Sequence, residues 1–443
     1  MMAREGRMAE RGPFLTQPYG AYLNREVPRE DVELTRVGPG TPCGEYLRRS
    51  WHPIAFSEEL KDLPIAIRVL GEELVVFRDG AGRVGLLQPH CAHRGSSLEF
   101  GLVSERGIRC CYHGWLFDVD GRILETPGEP AHNTLKNRLC QGAYPTHEFK
   151  GLVFAYMGPP ERKPPFPLLD TFNLPGYRCL PGRRHVIHCN WLQVKENSMD
   201  PVHTQFLHTV VSGAQFTEEF GILPEIEWHE TSCGMAYVST RRVGEMVWVR
   251  TSDFIPPNIH QFPPTWEKAR EEKIFSRPYM TIWAVPVDDT TTINTGYLHV
   301  PDTMELTPER LVKLKASVGQ VADRPYAERQ RQPGDYDAQV SQRPIAVHAL
   351  EHLGASDRGV IMLRKMLRDG IREVQAGRDP QGVAFAGRRP ISTYCQDTVL
   401  RVPPGATPEA EKQLLIDIGR RVLDGYYVKN PPPGMVPPAY ALV

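Results

Sequence analysis

The stretch from Cys91 to His113 places two cysteines and two histidines in two short turns. Cys91 and His93 form a Cys-x-His pair, Cys110 and His113 form a Cys-x-x-His pair, and sixteen residues separate His93 from Cys110. Thiolates and imidazoles at this spacing are metal ligands, and tetrahedral zinc is one ion that they can bind. Structural zinc sites typically pair Cys with Cys and His with His, whereas each turn here contributes one of each. The mixed pairing fits a [2Fe–2S] centre in which two cysteines hold one iron and two histidines hold the other.

This spacing resembles the Rieske motif, C-x-H-x(16–17)-C-x-x-H-G. The resemblance implies a [2Fe–2S] cluster with the ligands Cys91, His93, Cys110 and His113. Respiratory Rieske proteins resemble C-x-H-x-G-C with a further cysteine in the second turn, and Ser96 stands where the extra cysteine of the first turn would be. We interpret Cys111 as a bystander, because Cys110 alone gives the two-residue gap to His113.

Length and charge narrow the class of protein further. The chain has 443 residues, enough for two domains, and its net charge of −1 favours neither nucleic acid nor an anionic membrane. No apolar run approaches the roughly 18 to 20 residues that cross a bilayer, and the N-terminus lacks the apolar core of a secretion signal. The nine cysteines are odd in number and irregularly spread, which is typical of a reducing compartment. We therefore expect a cytoplasmic protein that binds neither nucleic acid nor a membrane.

Turn residues divide the first part of the chain into short strands. Hairpins are predicted with turns at Leu70-Gly71, Asp79-Gly80 and Asp120-Gly121. The proline-rich segment 159–169 marks a domain boundary. We predict an N-terminal arm over 1–40, a small all-β domain over 41–158 and an α+β domain with a central antiparallel sheet over 159–443. In the second domain, helices are predicted around 194–207 and from about 355 to 377.

A second group of candidate ligands lies in NWLQVKENSMDPVHTQFLH, residues 190–208. His203 and His208 are five positions apart, which is about 140° around a regular helix. Both imidazoles can therefore reach one metal only if the helix ends there or contains a π-type irregularity. Two histidines with a distant carboxylate are the ligands of mononuclear Fe(II) sites that keep positions open for O2.

The same stretch resembles the E-N-x-x-D-x-x-H-x4-H segment of Rieske non-haem iron oxygenases, with Glu196, Asn197 and Asp200 at the matching positions. The resemblance extends over nearly the whole chain. It implies the alpha subunit, or terminal oxygenase, of an aromatic ring-hydroxylating system, with mononuclear Fe(II) bound by His203 and His208. The implied fold is a Rieske domain followed by a helix-grip-like α+β catalytic domain.

The third iron ligand is predicted from residues 331–367. This segment resembles the phthalate-dioxygenase-like branch, in which Q-D-x-x-A-x-x-S-x-G-P-I precedes E-H-L-G-x-S-D, and that register places Asp335 at the ligand position. Gly334 replaces the usual Gln without shifting the register. Asp337 and the remote Asp397 remain as alternatives.

Electrons must come from elsewhere, since no GxGxxG sequence follows a predicted strand. The resemblance implies a separate NAD(P)H-dependent reductase, with or without a ferredoxin, and an electron route that crosses between the subunits of a homotrimer or of stacked trimers. Asp200 is the expected bridge, because its carboxylate can accept hydrogen bonds from His113 or His93 of the partner subunit and from His203. A helix N-cap before Pro201 is an alternative and compatible role.

Residues that contact the substrate are predicted from their side-chain chemistry, since no motif marks them. Apolar candidates for the pocket are Phe216, Phe220, Ile222, Val247, Trp248 and Trp283. Arg343 is the candidate carboxylate anchor, because it replaces the glycine usual in the branch; a surface arginine is the alternative.

The branch resemblance favours hydroxylation, by addition of two hydroxyl groups, of an aromatic carboxylate. O-demethylation of a methoxyaromatic is one alternative, since the outcome depends on which carbon lies over the iron. A Rieske electron carrier without oxygenase activity is the alternative from another class. The carrier would hold about two irons per chain and the oxygenase about three.

Overall fold

The part of the chain from Trp51 to Tyr156 consists of small antiparallel sheets. The computed structural model describes Leu15 and residues 18–20, 29–315, 321–384 and 390–437. The strands of this region are β1 (Trp51–Phe56), β2 (Ile65–Val69), β3 (Glu72–Arg78), β4 (Val84–Leu87), β5 (Leu102–Ser104), β6 (Gly107–Arg109), β7 (Leu116–Phe117), β8 (Ile123–Glu125), β9 (Thr146–Phe149) and β10 (Leu152–Tyr156). They form three sheets with the orders β1-β10-β9, β2-β3-β4 and β5-β6-β7-β8. The predicted all-β domain is confirmed.

The three predicted hairpin turns are present. Leu70 and Gly71 join β2 to β3 with φ angles of +50° and +78°. Asp79 closes the turn between β3 and β4, where its Oδ1 accepts a hydrogen bond from the backbone N–H of Arg83 at 2.8 Å. Gly121 between β7 and β8 has φ +84°, and a Cβ there would lie 2.2 Å from the carbonyl oxygen of Gln141. The last turn therefore needs glycine both for its conformation and for close packing.

A ten-stranded antiparallel sheet forms the centre of the second domain. Its strands are β11 (Tyr177–Pro181), β12 (His185–Ile187), β13 (Glu225–Thr231), β14 (Gly234–Val243), β15 (Met246–Ile255), β16 (Ile259–Phe262), β17 (Lys273–Ser276), β18 (Met280–Asp288), β19 (Thr291–Pro301) and β20 (Gln396–Arg401). The main order is β11-β19-β18-β16-β15-β14-β13; β12 also pairs with β19, and β20 pairs with β15 and β17. The predicted α+β class with an antiparallel sheet is confirmed.

Helices cover this sheet and link it to the first domain. The α-helices are α1 (Val32–Thr35), α2 (Pro42–Leu47), α3 (Trp191–Ser198), α4 (His203–Gln205), α5 (Pro308–Lys315), α6 (Tyr326–Arg331), α7 (Asp335–Ser341), α8 (Arg358–Gln375), α9 (Gln381–Ala384), α10 (Pro408–Leu423) and α11 (Tyr426–Lys429). A π-helix spans Phe206–Val211. Short 3-10 helices span Ser57–Glu59, Leu98–Phe100, Leu135–Asn137, Pro160–Arg162, Asp170–Asn173, Glu218–Gly221, His348–Leu350 and Ala355–Asp357.

The helix predicted around 194–207 is not continuous. It begins earlier, at Trp191, and α3 ends at Ser198 before the chain enters α4 at His203. Pro201 lies in the break and has no backbone N–H to continue a helix. The helix predicted from about 355 to 377 is confirmed as α8 with a preceding 3-10 turn.

One hydrophobic core joins the two domains. Phe154 of β10 packs edge-on against Trp283 of β18, with ring centroids 5.5 Å apart. The described part of the N-terminal segment also enters this core, since Leu34 in α1 is fully buried and its carbonyl accepts a hydrogen bond from Trp191 Nε1 at 3.0 Å. Within the described ranges, no helix combines the length and apolar character needed to span a membrane. The predicted domain limits at residues 40 and 158 stay a prediction.

Candidate active site

Two similar turns bring the first four candidate ligands together. The N–H of Gly95 donates to the carbonyl of Cys91 at 2.8 Å, and the N–H of Gly114 donates to the carbonyl of Cys110 at 3.1 Å. Both glycines have positive φ, at +76° and +74°, so the chain folds back sharply after each pair of candidate ligands. The His93 and His113 rings lie with centroids 4.5 Å apart, while both cysteines are buried beneath them.

The cluster turns are held by two residues that the sequence analysis missed. Gln141 is buried, accepts from the N–H of Ala92 at 2.8 Å and donates to the carbonyls of Gln88 and His90 at 2.8 and 2.9 Å. Trp115 stacks on the His93 ring with centroids 4.6 Å apart and an interplanar angle of 6°. Neither residue belongs to the ligand pattern itself, so ligand spacing gave no signal for these roles.

These side chains fit a [2Fe–2S] cluster. His93 Nδ1 is buried and, in the described part of the chain, has no hydrogen-bond partner, which is a free-energy cost unless a metal takes that position. Burial raises the pKa of the Cys91 thiol to about 11, so its thiolate requires a nearby cation. Cys111 is exposed, with its Sγ 3.8 Å from Ser96 Oγ.

A π-helical turn brings the second pair of histidines together. After α4, the chain continues as the π-helix Phe206–Val211, which carries His208. Because a π-helix bonds residue i to i+5, side chains five positions apart lie on one face. The His203 and His208 rings have centroids 5.2 Å apart. The predicted irregularity is confirmed.

Asp335 at the start of α7 completes this group. Its Oδ1 lies 3.4 Å from His203 Nε2 and 3.3 Å from His208 Nε2, and the three ligand atoms lie within 4.8 Å of one another. Burial acts to raise the pKa of Asp335, but the charges and hydrogen bonds of His208 and His203 hold it well below its usual value. Asn197 Nδ2 donates to the same carboxylate at 3.1 Å. Three converging donors, one anionic and two imidazole, fit a mononuclear iron.

The two rival aspartates lie elsewhere. Asp337 pairs with Arg324 and, at 2.6 Å, with Arg329 Nε. Asp397 is fully buried in β20, 3.7 Å from Arg250 Nε. Among the three candidates, the structure brings only Asp335 to the histidines.

The outer nitrogens of the two histidines are hydrogen-bonded. His208 Nδ1 lies 2.8 Å from Gln215 Oε1, and Gln215 Nε2 donates to the carbonyl of Pro333 at 2.9 Å. His203 Nδ1 bonds to the backbone carbonyl of Asp200. Since each Nδ1–H is used as a donor, Nε2 is the ring atom through which each imidazole would bind a metal, together with Asp335. No pattern in the sequence marks Gln215 for this role.

Asp200 lies beside His203 in the break between α3 and α4. Its Oδ1 accepts from the N–H of Val202 at 2.8 Å, a bond within the turn that precedes α4, whereas α4 itself has no side-chain N-cap. The sequence predicted that His203 donates to this carboxylate. Its Oδ2 lies 3.8 Å from His203 Nδ1, and the imidazole donates to the backbone carbonyl of Asp200 instead. The carboxylate is 31% exposed, which leaves it accessible to a partner subunit.

A cavity of about 250 Å³ opens beside His203, His208 and Asp335. Two predicted lining residues, Phe216 and Phe220, lie on its wall. The other four do not line it: Val247 and Trp248 pack in separate clusters on either side of β15, Trp283 lies in the core between the domains, and Ile222 is 37% exposed. Side chains alternate along a strand, so adjacent Val247 and Trp248 cannot face one pocket.

Arg343 is not brought to this cavity. Its side chain is exposed, its backbone has φ +88°, and its carbonyl accepts a hydrogen bond from Gln193 Nε2 at 3.0 Å. The structure instead places Lys195, Arg241 and Arg250 on the cavity wall. None of these was identified from the sequence.

Comparison with known proteins finds relatives over most of the chain. Residues 50–139 match the family profile of the Rieske [2Fe-2S] domain. The tert-butanol monooxygenase / tert-amyl alcohol desaturase oxygenase subunit of Aquincola tertiaricarbonis is 45% identical, over 90% of this chain and 89% of that protein. The phenoxybenzoate dioxygenase subunit alpha of Ectopseudomonas oleovorans is 38% identical, over 85% of this chain and 94% of that protein.

A solved structure has the same fold. The NdmA QL mutant of Pseudomonas putida CBB5 with caffeine aligns with a TM-score of 0.59 over 83% of this chain and 100% of that chain, at 20% identity. At this identity the likeness concerns the fold, and the chemistry rests on the residues described above.

Proposed function

This chain belongs to the Rieske non-haem iron oxygenases, and we propose from that premise that it hydroxylates a small aromatic, carboxylated substrate. It is an enzyme with a Rieske [2Fe–2S] cluster and a mononuclear iron. We assign the cluster to Cys91, His93, Cys110 and His113 and the mononuclear iron to His203, His208 and Asp335. The proposed product carries two new hydroxyl groups on the ring.

One observation carries the proposal: His203, His208 and Asp335 converge within 4.8 Å beside a cavity of small-molecule size. A pure electron carrier has no use for a second ligand set opening onto a cavity, so this arrangement favours the oxygenase over the carrier. The aromatic wall supports a flat apolar substrate, since Phe216 contacts Trp266 and Phe220 with ring centroids 5.4 and 6.4 Å apart.

The chain's own residues would position the reaction. When bound, the cluster supplies electrons and the mononuclear iron supplies the chemistry that activates O2. Gln215 and the carbonyl of Asp200 fix the orientation of the two imidazoles by accepting their Nδ1 protons. Phe216 packs edge-on against His208 with ring centroids 5.0 Å apart, where it excludes water and limits which substrate carbon approaches the iron.

Members of this family work with O2 and a reductase or ferredoxin. We propose a separate NAD(P)H-dependent reductase for this chain and a cytoplasmic location.

We also propose a homotrimer, or stacked trimers, in which the cluster face of one subunit meets the iron face of the next. Near the cluster, the exposed apolar side chains are Phe100, Leu102 and Tyr112. On the π-helix that carries His208, they are Phe206, Val210 and Val211. Exposed apolar patches of this kind mark protein–protein surfaces.

A second candidate function is monooxygenation of a small alcohol. It is favoured by the 45% identity to a relative named for tert-butanol and tert-amyl alcohol. O-demethylation, considered from the sequence, is a third outcome that the same experiment detects. The cavity and iron ligands serve each reaction, because the product depends on which atom lies nearest the iron.

The test is product mass after incubation with a generic reductase, NADH and 18O2. The panel contains benzoates, phthalates, phenoxybenzoates, methoxybenzoates and tert-butanol. Two labelled oxygens on a ring would establish the proposed reaction. One labelled oxygen on tert-butanol would establish the second candidate, and formaldehyde release would establish demethylation. A chain that consumes no O2 with any of them, while holding both metals, would contradict the proposal.

A further inference from the structure

Lys195 is a buried cation on the wall of the substrate cavity. It lies in α3, its side chain is 1% exposed, and it shares the wall with Val194 and Ser198 of the same helix. Buried lysines are rare in proteins unless an anion or a hydrogen-bond acceptor compensates the lost hydration. Its presence in a cavity therefore requires a partner.

No such partner is present in the described ranges, where the Lys195 ammonium makes neither a hydrogen bond nor an ion pair. The other two buried cations on the wall differ from it. Arg241 donates to the carbonyl of Ile222 at 2.8 Å, and Arg250 donates to the carbonyl of Pro263 at 3.2 Å. Burial lowers the pKa of Lys195 to about 7, which is the expected response of an ammonium that lacks a counterion.

The charges around the cavity are unbalanced. Within the described chain, its basic lining residues are Arg183, Lys195, Arg241 and Arg250, and its acidic lining residue is Asp335. Asp335 is held by the two histidines. Asp397 lies behind the wall, 3.7 Å from Arg250 Nε, and offsets the charge of Arg250. Lys195 and Arg241 are the buried lining cations without an ion pair in the described ranges, and they favour a ligand with negative charge. The aromatic wall at Phe216 and Trp266 favours an apolar body on the same ligand.

We propose that Lys195 is the anchor for the acidic oxygen of the substrate, and that this oxygen belongs to a carboxylate. This inference rests on the proposed function, which makes the cavity the substrate site. Lys195 selects the anionic form by a charge-assisted hydrogen bond. The ammonium gains its missing partner only when the substrate is bound, so the anchor discriminates against neutral compounds of the same shape.

The test compares the binding of benzoate with that of benzamide, which has nearly the same shape and no charge. Isothermal titration of the metal-loaded enzyme, without O2 or reductase, measures binding independently of turnover. We expect the unmodified enzyme to prefer benzoate by about tenfold or more. In Lys195→Met this preference should fall to within about twofold. The matched control is Lys365→Met in α8, where the lysine side chain is 69% exposed; it should keep the preference.

Two results would overturn the anchor: an unmodified enzyme that binds benzoate no better than benzamide, or a Lys195→Met enzyme that keeps the full preference. The cluster absorbance of each variant checks its folding, and Lys195→Gln replaces Lys195→Met if the latter loses the cluster. A Lys195-dependent preference in an enzyme that oxidises no compound of the panel would support the anchor and contradict the oxygenase proposal. Oxygenation without a Lys195-dependent preference would support the oxygenase proposal and contradict the anchor.

Discussion

His208 donates its Nδ1 proton to Gln215 Oε1 across 2.8 Å, and Gln215 is held in place by the carbonyl of Pro333, two residues before Asp335. One amide side chain thus connects a histidine of the iron site to the segment that supplies the carboxylate. The π-helix and the start of α7 are therefore positioned relative to each other through Gln215.

Replacing Gln215 by Leu should weaken binding of the mononuclear iron. The His208 ring would lose the acceptor that fixes its orientation, and loss of such a partner typically lowers metal affinity by about 10- to 100-fold. Competition with an iron chelator measures this affinity, while the cluster absorbance should stay unchanged. Gln413→Leu, on the exposed face of α10, is the control. Equal chelator resistance in both variants would contradict the role of Gln215.

Asp335→Ala should change the iron content of the protein, whereas Asp337→Ala should change its stability. The first removes an iron ligand, so iron content should fall from about three to about two per chain, with the cluster retained. The second leaves all three ligands in place but removes the partner of Arg324 and Arg329, and should lower the free energy of unfolding by about 2 kcal/mol. Metal analysis and chemical denaturation distinguish the two. Loss of the mononuclear iron in Asp337→Ala alone would reverse the assignment.

Asp200→Asn should abolish turnover while both metals remain bound. Asn can still accept the Val202 N–H, so this bond in the turn before α4 is kept. It lacks the negative charge that would accept a hydrogen bond from a cluster histidine of the partner subunit beside His203. Single-turnover oxidation of the reduced cluster, followed by absorbance, reports this step directly. Near-normal cluster oxidation would mean that Asp200 only stabilises the turn before α4.

Mixed trimers should recover activity from two inactive chains. His208→Ala loses the iron site and Cys110→Ala loses the cluster, so neither chain turns over alone. If electrons cross between subunits, co-expression places an intact cluster beside an intact iron site in part of the trimers. Purification through a different tag on each chain isolates these mixed assemblies. Their complete inactivity, with both metals present, would argue for a route within one subunit.

Lys195→Met should stabilise the ligand-free protein near neutral pH. The folded-state pKa of Lys195 is lowered from 10.5 to about 7, so between these values the unfolded chain binds more protons and stability rises with pH. One pKa unit corresponds to about 1.4 kcal/mol, and we expect a gain of about 4 kcal/mol at pH 7. The gain should shrink as the pH rises toward 10. Urea denaturation at several pH values measures it, and a pH-independent difference would exclude titration of Lys195 as its cause.

Local spacing predicted the candidate ligands and part of the fold. The two cluster turns, the three hairpins and the need for a π-type distortion between His203 and His208 depend on residues close in the chain, whose geometry follows from short-range backbone rules. Of the six residues predicted to line the substrate cavity, only Phe216 and Phe220 do so. Adjacent Val247 and Trp248 were both considered for it, yet the alternation of side chains in β15 sends them to different cores.

By itself, the sequence determined which side chains can bind metal and in what kind of turn, because thiolate and imidazole chemistry and helix periodicity are local properties. Only the tertiary structure decided which partner each side chain meets. It brought Asp335 rather than Asp337 to the histidines, placed Gln215 and Gln141 behind the ligands, and left Arg343 exposed while burying Lys195 in the cavity. Such contacts join residues distant in the chain, and they depend on how helices and strands pack.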